Sequence, residues 1–285
     1  MGVVKIIGSG CSFTHDPNIS WLYQLKNYGF DIHNYSQGSG GNQLSTRILI
    51  HNIPKYHDDD IIVVRQLSSP HRASFIVEEG DVGFDEKLWD FMLSQTHDWL
   101  RQSSYYGISN LDEGDWNNRK IKSYWTKIQP LDFIDEKNID KDLSLDMIKK
   151  YYSYFGGHYN MIYQTLESIL YLQTYCNSKN IPHIQFFGWD SFCGFEHYLE
   201  YEDCLNLMKQ IDWSKIINID WKIKNQKGKF GGINEWALMN LPLDKCFNEE
   251  IIKTKYSARV WAHPSEESHR LFVDDFLLEK IKTYI

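Results

Sequence analysis

The sequence lacks the features that mark several large classes of protein. Its five cysteines are an odd number and include no CxxC pair, so neither a disulfide framework nor a structural zinc site is expected. No stretch approaches the roughly 18 consecutive apolar residues of a membrane-spanning helix. The apolar run at the amino terminus is too short for a signal peptide. These absences favour a protein of the reducing cytoplasm that has no membrane partner.

Basic charge is also scarce. The chain has 30 Lys and Arg residues against 38 Asp and Glu residues, a net charge of −8, and no long basic run. Nucleic-acid binders usually carry a basic excess that neutralises phosphates, so general nucleic-acid binding is not expected. Aromatic residues, in contrast, reach 15 % of the chain. Such a surplus can fill a core, line a sugar or lipid cleft, or build a partner surface.

Short β-branched runs alternate with segments of helical spacing. This alternation predicts right-handed βαβ units around a parallel sheet. The expected fold is α/β, a three-layer flavodoxin-like sandwich with a central, mostly parallel five-stranded sheet. Ser265 is expected to cap a final helix, and GKFGG at 228–232 to form a flexible turn. The predicted strands lie at 3–7, 30–35, 61–67, 183–189 and 216–221.

The stretch from about 80 to 155 has no clear period. It carries acidic clusters and four tryptophans, which predicts a helical and loop insertion between core elements. Its role stays open between a lid, a substrate-binding surface and a decoration without direct function. Because no internal repeat or low-complexity linker occurs, residues 1–285 are expected to form a single domain.

Two polar residues lie where chemistry is expected. Ser12 follows the first strand and a Gly-rich turn, where backbone N–H groups can donate to an oxyanion. A free serine hydroxyl is a weak nucleophile and needs a base, for which His263, just before the last helix, is the candidate. Cys11 remains an alternative nucleophile. His15 remains an alternative base or a substrate-binding residue.

The segments around these residues resemble the SGNH (GDSL-like) hydrolases. GSGCSFT at 8–14 is similar to their first block, in which Ser12 matches the nucleophile. HPSEESHRLFVDDFL at 263–277 is similar to their last block, in which His263 matches the catalytic base. NYSQGSGGNQ at 34–43 is similar to the segment that contributes a glycine N–H to the oxyanion hole, here Gly38 or Gly40 together with the N–H of Ser12.

The third block departs from the family pattern. The family carries Gly-x-Asn-Asp there, and its Asn completes the oxyanion hole, whereas this chain has RQLSSPHR at 65–72. The candidates to replace that Asn are Gln66, Ser68, Ser69 and, from the neighbouring loop, Asn42.

The last block departs as well. The position three residues before His263 normally holds an Asp but here holds Val260. Asp190, after the fourth strand, is the candidate orienting acid. Arg72 is a candidate substrate-binding residue, because a guanidinium can hold a carboxylate or a phosphate.

The resemblance implies a serine esterase that acts through an acyl-enzyme, with no cofactor and no metal. The aromatic surplus suggests an O-acetyl carbohydrate as substrate, and transfer to a sugar hydroxyl would use the same residues, so an acyltransferase stays open. The two departures favour an alternative, a catalytically degenerate binding protein on the same fold. A third hypothesis is nucleotide binding through the first loop. The sequence leaves the oligomeric state open.

Overall fold

The fold is described by a computed structural model for residues 3–16, 18–36, 40–56, 59–70, 72–78, 123–128, 157–248 and 263–285. Strands in these ranges form one large sheet and two antiparallel pairs. They are β1 (Lys5–Ser9), β2 (Asp31–Asn34), β3 (Ile61–Leu67), β4 (Ala73–Glu78), β5 (Ser123–Ile128), β6 (His183–Phe187), β7 (Ile216–Ile217), β8 (Ile219–Ile223) and β9 (Gln226–Gly231).

The large sheet has the strand order β2-β1-β3-β6-β7, and every neighbouring pair is parallel. The predicted α/β fold with a five-stranded central sheet is therefore confirmed, and the sheet is parallel throughout. From β1 the chain first moves to one side to form β2 and then crosses to the other side to form β3. The switch point of the sheet thus lies between β1 and β3, where α/β folds open a crevice.

Helices cover both faces of this sheet and complete the three layers. Successive side chains of a strand point to opposite faces, so Ile6 and Ile7 enter different cores. Ile6 packs with Trp21 and Phe272 on one face, and Ile7 packs with Leu44 on the other. No helix in the described ranges is long and apolar enough to cross a membrane. The α-helices there are α1 (Ser12–His15), α2 (Trp21–Gln24), α3 (Asn42–Asn52), α4 (His158–Ser178), α5 (Glu202–Gln210), α6 (Ile233–Asn240), α7 (Leu243–Cys246), α8 (Glu266–Phe272) and, after a π-helical turn, α9 (Leu278–Lys282).

The segment predicted as one strand at 216–221 is divided in the structure. β7 ends at Ile217, and β8 instead forms an antiparallel hairpin with β9, so the turn predicted at 228–232 is mostly strand. Trp221 explains the difference. Its indole lies across the hairpin, 2.6 Å from the place where a side chain on Gly228 or Gly231 would begin. Gly228 and Gly231 therefore make room for the Trp221 ring against the strand, and they do not form a flexible turn.

The predicted insertion is described only in part. β5 lies inside it and pairs in antiparallel register with β4, from Ala73 opposite Ile128 to Glu78 opposite Ser123. The segment therefore contains a strand, which the prediction of helical pieces and loops did not include. The remainder of 80–155 lies outside the described residues.

A fully buried arginine fastens α3 to the sheet. Arg65 of β3 donates hydrogen bonds to the backbone oxygen of Asn42 at 3.3 Å, to the Thr46 hydroxyl and to the Gln185 amide oxygen. Burial lowers the pKa of Arg65 to about 9. Since Asn42 is the first residue of α3, these bonds fix the position of the loop that precedes it.

Candidate active site

Four loops meet at the carboxyl edge of the parallel sheet. Because the strands all run in one direction, the chain leaves each of them at this edge. Ser12 follows β1, Gly40 follows β2, Arg72 follows β3 and Trp189 follows β6. The loops after β1 and β3 flank the switch point of the sheet. The sequence-predicted residues on these loops therefore share one crevice.

Ser12 presents an accessible hydroxyl at this crevice. It is the first residue of α1 and is partly exposed. Within the described residues, neither its hydroxyl nor its backbone N–H donates or accepts a hydrogen bond. Cys11, the alternative nucleophile, is fully buried, and its thiol donates to Oε1 of Gln66 at 3.2 Å. The accessible nucleophile of this turn is therefore the serine.

Gln66 supports the turn from below. Its side-chain oxygen accepts hydrogen bonds from the Cys11 backbone N–H at 3.3 Å and from the Thr14 hydroxyl at 3.1 Å. A side chain on Gly10 would begin 2.8 Å from that same oxygen, so the turn needs glycine there. Gln66, expected as a candidate oxyanion donor, is thus placed by the structure as the residue that shapes the loop around Ser12.

The glycine loop is held by Asn42. The Asn42 amide donates to the Ser68 carbonyl at 3.0 Å and accepts from the Ser68 N–H at 2.7 Å. This pair of bonds joins the loops after β2 and β3 and occupies the amide that was a candidate oxyanion donor. Gly40 is buried, and within the described part of the chain its N–H donates no hydrogen bond. Gly38 lies outside the described residues.

The loop after β3 places an arginine over a tryptophan. Nη1 of Arg72 donates to the Ser68 hydroxyl at 2.9 Å, and the Arg72 N–H donates to the Ser69 carbonyl at 3.4 Å. Its guanidinium lies 5.8 Å from the ring centre of Trp189. Both serines are buried, so neither hydroxyl points freely into the crevice.

His263 reaches the same edge from the far end of the chain. Its ring centre lies 5.4 Å from that of Phe13, the neighbour of Ser12. Its backbone is fixed by a hydrogen bond from Asn248, 3.0 Å long, and by the bridge between Pro264 and Phe247. The described residues form no hydrogen bond between His263 and Ser12. Catalytic hydrogen bonds often form only after substrate binds. The absence of this bond is therefore compatible with His263 as the base.

The charges around His263 come from residues on two loops. Burial lowers the pKa of His263 first, the nearby Arg72 guanidinium lowers it further, and the Asp16 carboxylate opposes both. Asp190, the expected orienting acid, is engaged elsewhere, because it accepts from the Trp221 indole at 2.8 Å and from the Phe192 N–H at 3.1 Å. Asp16 is thus the carboxylate that acts electrostatically on the candidate base. Val260 lies outside the described residues.

Two other histidines lie near this edge. His15 ends α1, three residues after Ser12, and is half-buried. His269 of α8 is buried, its Nδ1 has no hydrogen-bond partner among the described residues, and burial together with the neighbouring His263 lowers its pKa to about 3. His269 is therefore neutral at physiological pH.

A buried glutamate anchors the loop that carries Trp189. Glu235 of α6 accepts hydrogen bonds from the backbone N–H groups of Gly232 and Asp190, both at 3.1 Å. Burial raises the pKa of Glu235 to about 7, against the partial opposition of these N–H groups. The carboxyl thus becomes charged near neutral pH while it supports one wall of the crevice.

Replacing Glu235 with Gln changes how stability depends on pH. The folded-state pKa lies above the ordinary value of 4.5, so this group stabilises the fold fully below pH 4.5 and loses that contribution as pH rises to about 7. In Glu235→Gln we expect this decline to vanish. The free energy of unfolding of the variant, relative to that of wild type, should therefore increase by on the order of 3 kcal/mol as the pH rises from 4.5 to 8. Urea unfolding at several pH values measures it. An exposed control, Glu200→Gln, should parallel wild type, and a parallel Glu235→Gln curve would contradict the assignment.

The described residues contain no group of three or more His, Cys, Asp or Glu side chains arranged to hold a metal ion. The groups that meet at the candidate site are the side chains of Ser12, His263 and Arg72 and nearby backbone N–H groups. No protein-family model and no curated protein matches this chain. The resemblance to the SGNH hydrolases therefore depends on the segments at 8–14, 34–43 and 263–277 alone.

Two residues of the candidate site, Trp189 and Asp16, were not predicted from the sequence. Trp189 read as part of the fourth strand, yet it is buried against Phe13, with 5.0 Å between ring centres. Asp16 follows His15 in the sequence, and no motif assigns it a role. The one available signal was position, because Asp16 lies one helical turn from Ser12 and Trp189 directly follows a strand end.

Proposed function

We propose that the protein is a serine hydrolase of the SGNH type that forms an acyl-enzyme on Ser12. One observation carries the proposal: a serine whose hydroxyl has no partner among the described residues lies at the switch point of a parallel sheet, and a histidine ring packs against the neighbouring Phe13. The resemblance of residues 8–14 and 263–277 to the first and last family blocks gives the same two residues these roles.

The proposed reaction has two halves. Ser12 Oγ attacks the ester carbonyl while His263 accepts the hydroxyl proton. The oxyanion accepts hydrogen bonds from the N–H groups of Ser12 and Gly40, which have no acceptor among the described residues. Collapse breaks the bond to the alcohol, which leaves with the proton from His263. Water then attacks the acyl-serine with His263 as base again, and the carboxylic acid is released.

The proposal also includes the class of substrate, that is, the acyl group and the alcohol that the ester joins. An O-acetyl carbohydrate fits the aromatic content of the chain, since sugar faces stack on aromatic rings. An acyltransferase differs only in the second half, where a hydroxyl of the acceptor replaces water. Adding a sugar to an active preparation separates the two, because a transferase yields acylated sugar and a hydrolase yields free acid.

A second candidate function is ligand binding without catalysis. Two observations favour it: in the described residues Ser12 and His263 share no hydrogen bond, and Asn42 is committed to Ser68. A binding protein would keep its function after Ser12→Ala, whereas a serine hydrolase would lose it.

Labelling with a fluorophosphonate probe tests the proposal. We expect one adduct per chain on wild type and none on Ser12→Ala, because only an activated serine displaces the probe's leaving group. Intact mass spectrometry counts the adducts. Ser178→Ala is the matched control, since Ser178 is an exposed serine at the far end of α4. An adduct that survives in Ser12→Ala would place the nucleophile on another residue, and an unlabelled but folded wild type would move the protein to the binding class.

A further inference from the structure

Arg72 is held in place but not neutralised. Nη1 is fixed by the Ser68 hydroxyl at 2.9 Å and by the Gly40 carbonyl at 3.5 Å, and the guanidinium lies over the Trp189 ring. The backbone is fixed as well, because the Arg72 carbonyl packs directly against Gly41, where a side chain would collide with it. The side chain is only partly exposed. Such an arrangement fixes the orientation of the guanidinium plane.

The rest of the guanidinium is unused. Within the described residues, Arg72 forms no ion pair, and neither Nη2 nor Nε donates a hydrogen bond. Some surface cations do have acidic partners: Lys5 pairs with Asp59 at 2.8 Å, and Arg270 lies 3.8 Å from Asp274. Arg72 differs from these because it is partly buried, stacked over an indole and, among the described residues, without a carboxylate partner.

Arg72 lies beside the candidate active site. Arg72 is close enough to His263 to act on its charge, and Trp189 beneath it contacts Phe13, the neighbour of Ser12. A guanidinium offers two parallel N–H donors, a geometry that matches the paired oxygens of a carboxylate or phosphate. A single ester oxyanion, in contrast, is served by the backbone N–H groups of Ser12 and Gly40.

We propose that Arg72 forms an anion subsite and that the substrate carries a carboxylate or phosphate beside its ester. The ester part rests on the proposed function, whereas the anion subsite stands on the contacts of Arg72 alone. The bound anion would lie over the edge of Trp189, with two oxygens on the free donors of Arg72. This makes an anionic ester, and not a neutral one, the preferred substrate.

Anion binding without turnover is the first test. Isothermal titration of Ser12→Ala with succinate, and separately with inorganic phosphate, shows which anion the subsite takes. In Ser12→Ala/Arg72→Gln we expect affinity for that anion to fall roughly 10- to 100-fold, the value of one or two charge-assisted hydrogen bonds. Ser12→Ala/Arg270→Gln is the control and should bind as Ser12→Ala does. Binding of neither anion, or equal binding after Arg72→Gln, would overturn the inference.

Substrate preference is the second test. The ratio of kcat/KM for a succinate monoester to that for the neutral butyrate ester should fall roughly 10- to 100-fold in Arg72→Gln. An unchanged ratio with both rates lowered would make Arg72 an oxyanion donor and overturn the subsite. Melting temperatures of the variants verify folding. If no ester is hydrolysed but the titration shows Arg72-dependent binding, the proposed function fails and the anion subsite stands.

Discussion

Replacing His263 with Ala should slow acylation of Ser12 roughly 10⁴- to 10⁶-fold, the usual cost of losing a base that acts as a unit with its serine. Without the imidazole, the Ser12 proton has no acceptor as the oxygen attacks. The measurement is the rate of fluorophosphonate labelling, followed by intact mass, together with kcat/KM for an activated ester. The effect should be large because the proton of the attacking hydroxyl must be removed during acylation.

The pH profile of wild type makes the same prediction more specific. Burial and Arg72 lower the pKa of His263, so the base loses its proton at a pH below the ordinary 6.5. The kcat/KM should therefore rise with pH to a plateau, with an apparent pKa below 6.5. His197→Ala, at an exposed histidine, should leave both readouts unchanged. If His15→Ala removes activity and His263→Ala does not, the base is His15.

Replacing Gly232 with Ala should cost about 3 kcal/mol or more of stability, at the upper end of overpacking effects. The added methyl would overlap the Phe187 carbonyl group and lie 2.8 Å from the carbonyl carbon of Gly188. Both neighbours are backbone at the end of β6, so no side-chain rotation relieves the clash. The displacement would also break the Gly232 hydrogen bond to Glu235 and shift the loop that carries Trp189.

Thermal unfolding and urea titration measure this cost. For a chain of 285 residues, 3 kcal/mol corresponds to a drop in melting temperature of roughly 5 °C. Gly157→Ala is the matched control, because nothing lies within 4 Å of its added methyl and its φ of −57° is open to alanine. We expect that variant to change stability by less than about 1 kcal/mol. Equal melting temperatures for the two variants would contradict the tight contact between Gly232 and β6.

The sheet was predictable because its central strands β1, β3 and β6 are almost entirely buried. IIVV at 61–64 is β-branched and apolar without a break, and β3 continues from it to Leu67. The hairpin of β8 and β9 was not predictable from the same rules. Its glycines suggest a turn when they stand alone, and only the position of the Trp221 indole shows why a strand needs them.

The candidate site was likewise predictable only in part. Ser12 and the loops after β2 and β3 were predictable, since parallel strands bring their carboxyl ends to one edge. The duties of the individual side chains were not. Gln66, Asn42 and Asp190 are polar residues at that edge, yet each is bound to a backbone group or a neighbouring side chain that the sequence does not reveal.

By itself the sequence determined the α/β class, the five-stranded sheet and the positions of Ser12 and His263 relative to the strands and the last helix. Hydrophobic periodicity and short motifs are local properties, and a single chain records them directly. The tertiary structure alone decided that Arg72 has no acidic partner among the described residues, and that Asp190 is bound to Trp221 while the Asp16 carboxylate raises the pKa of His263. Those relations join loops far apart in the chain, so they exist only after the sheet has assembled.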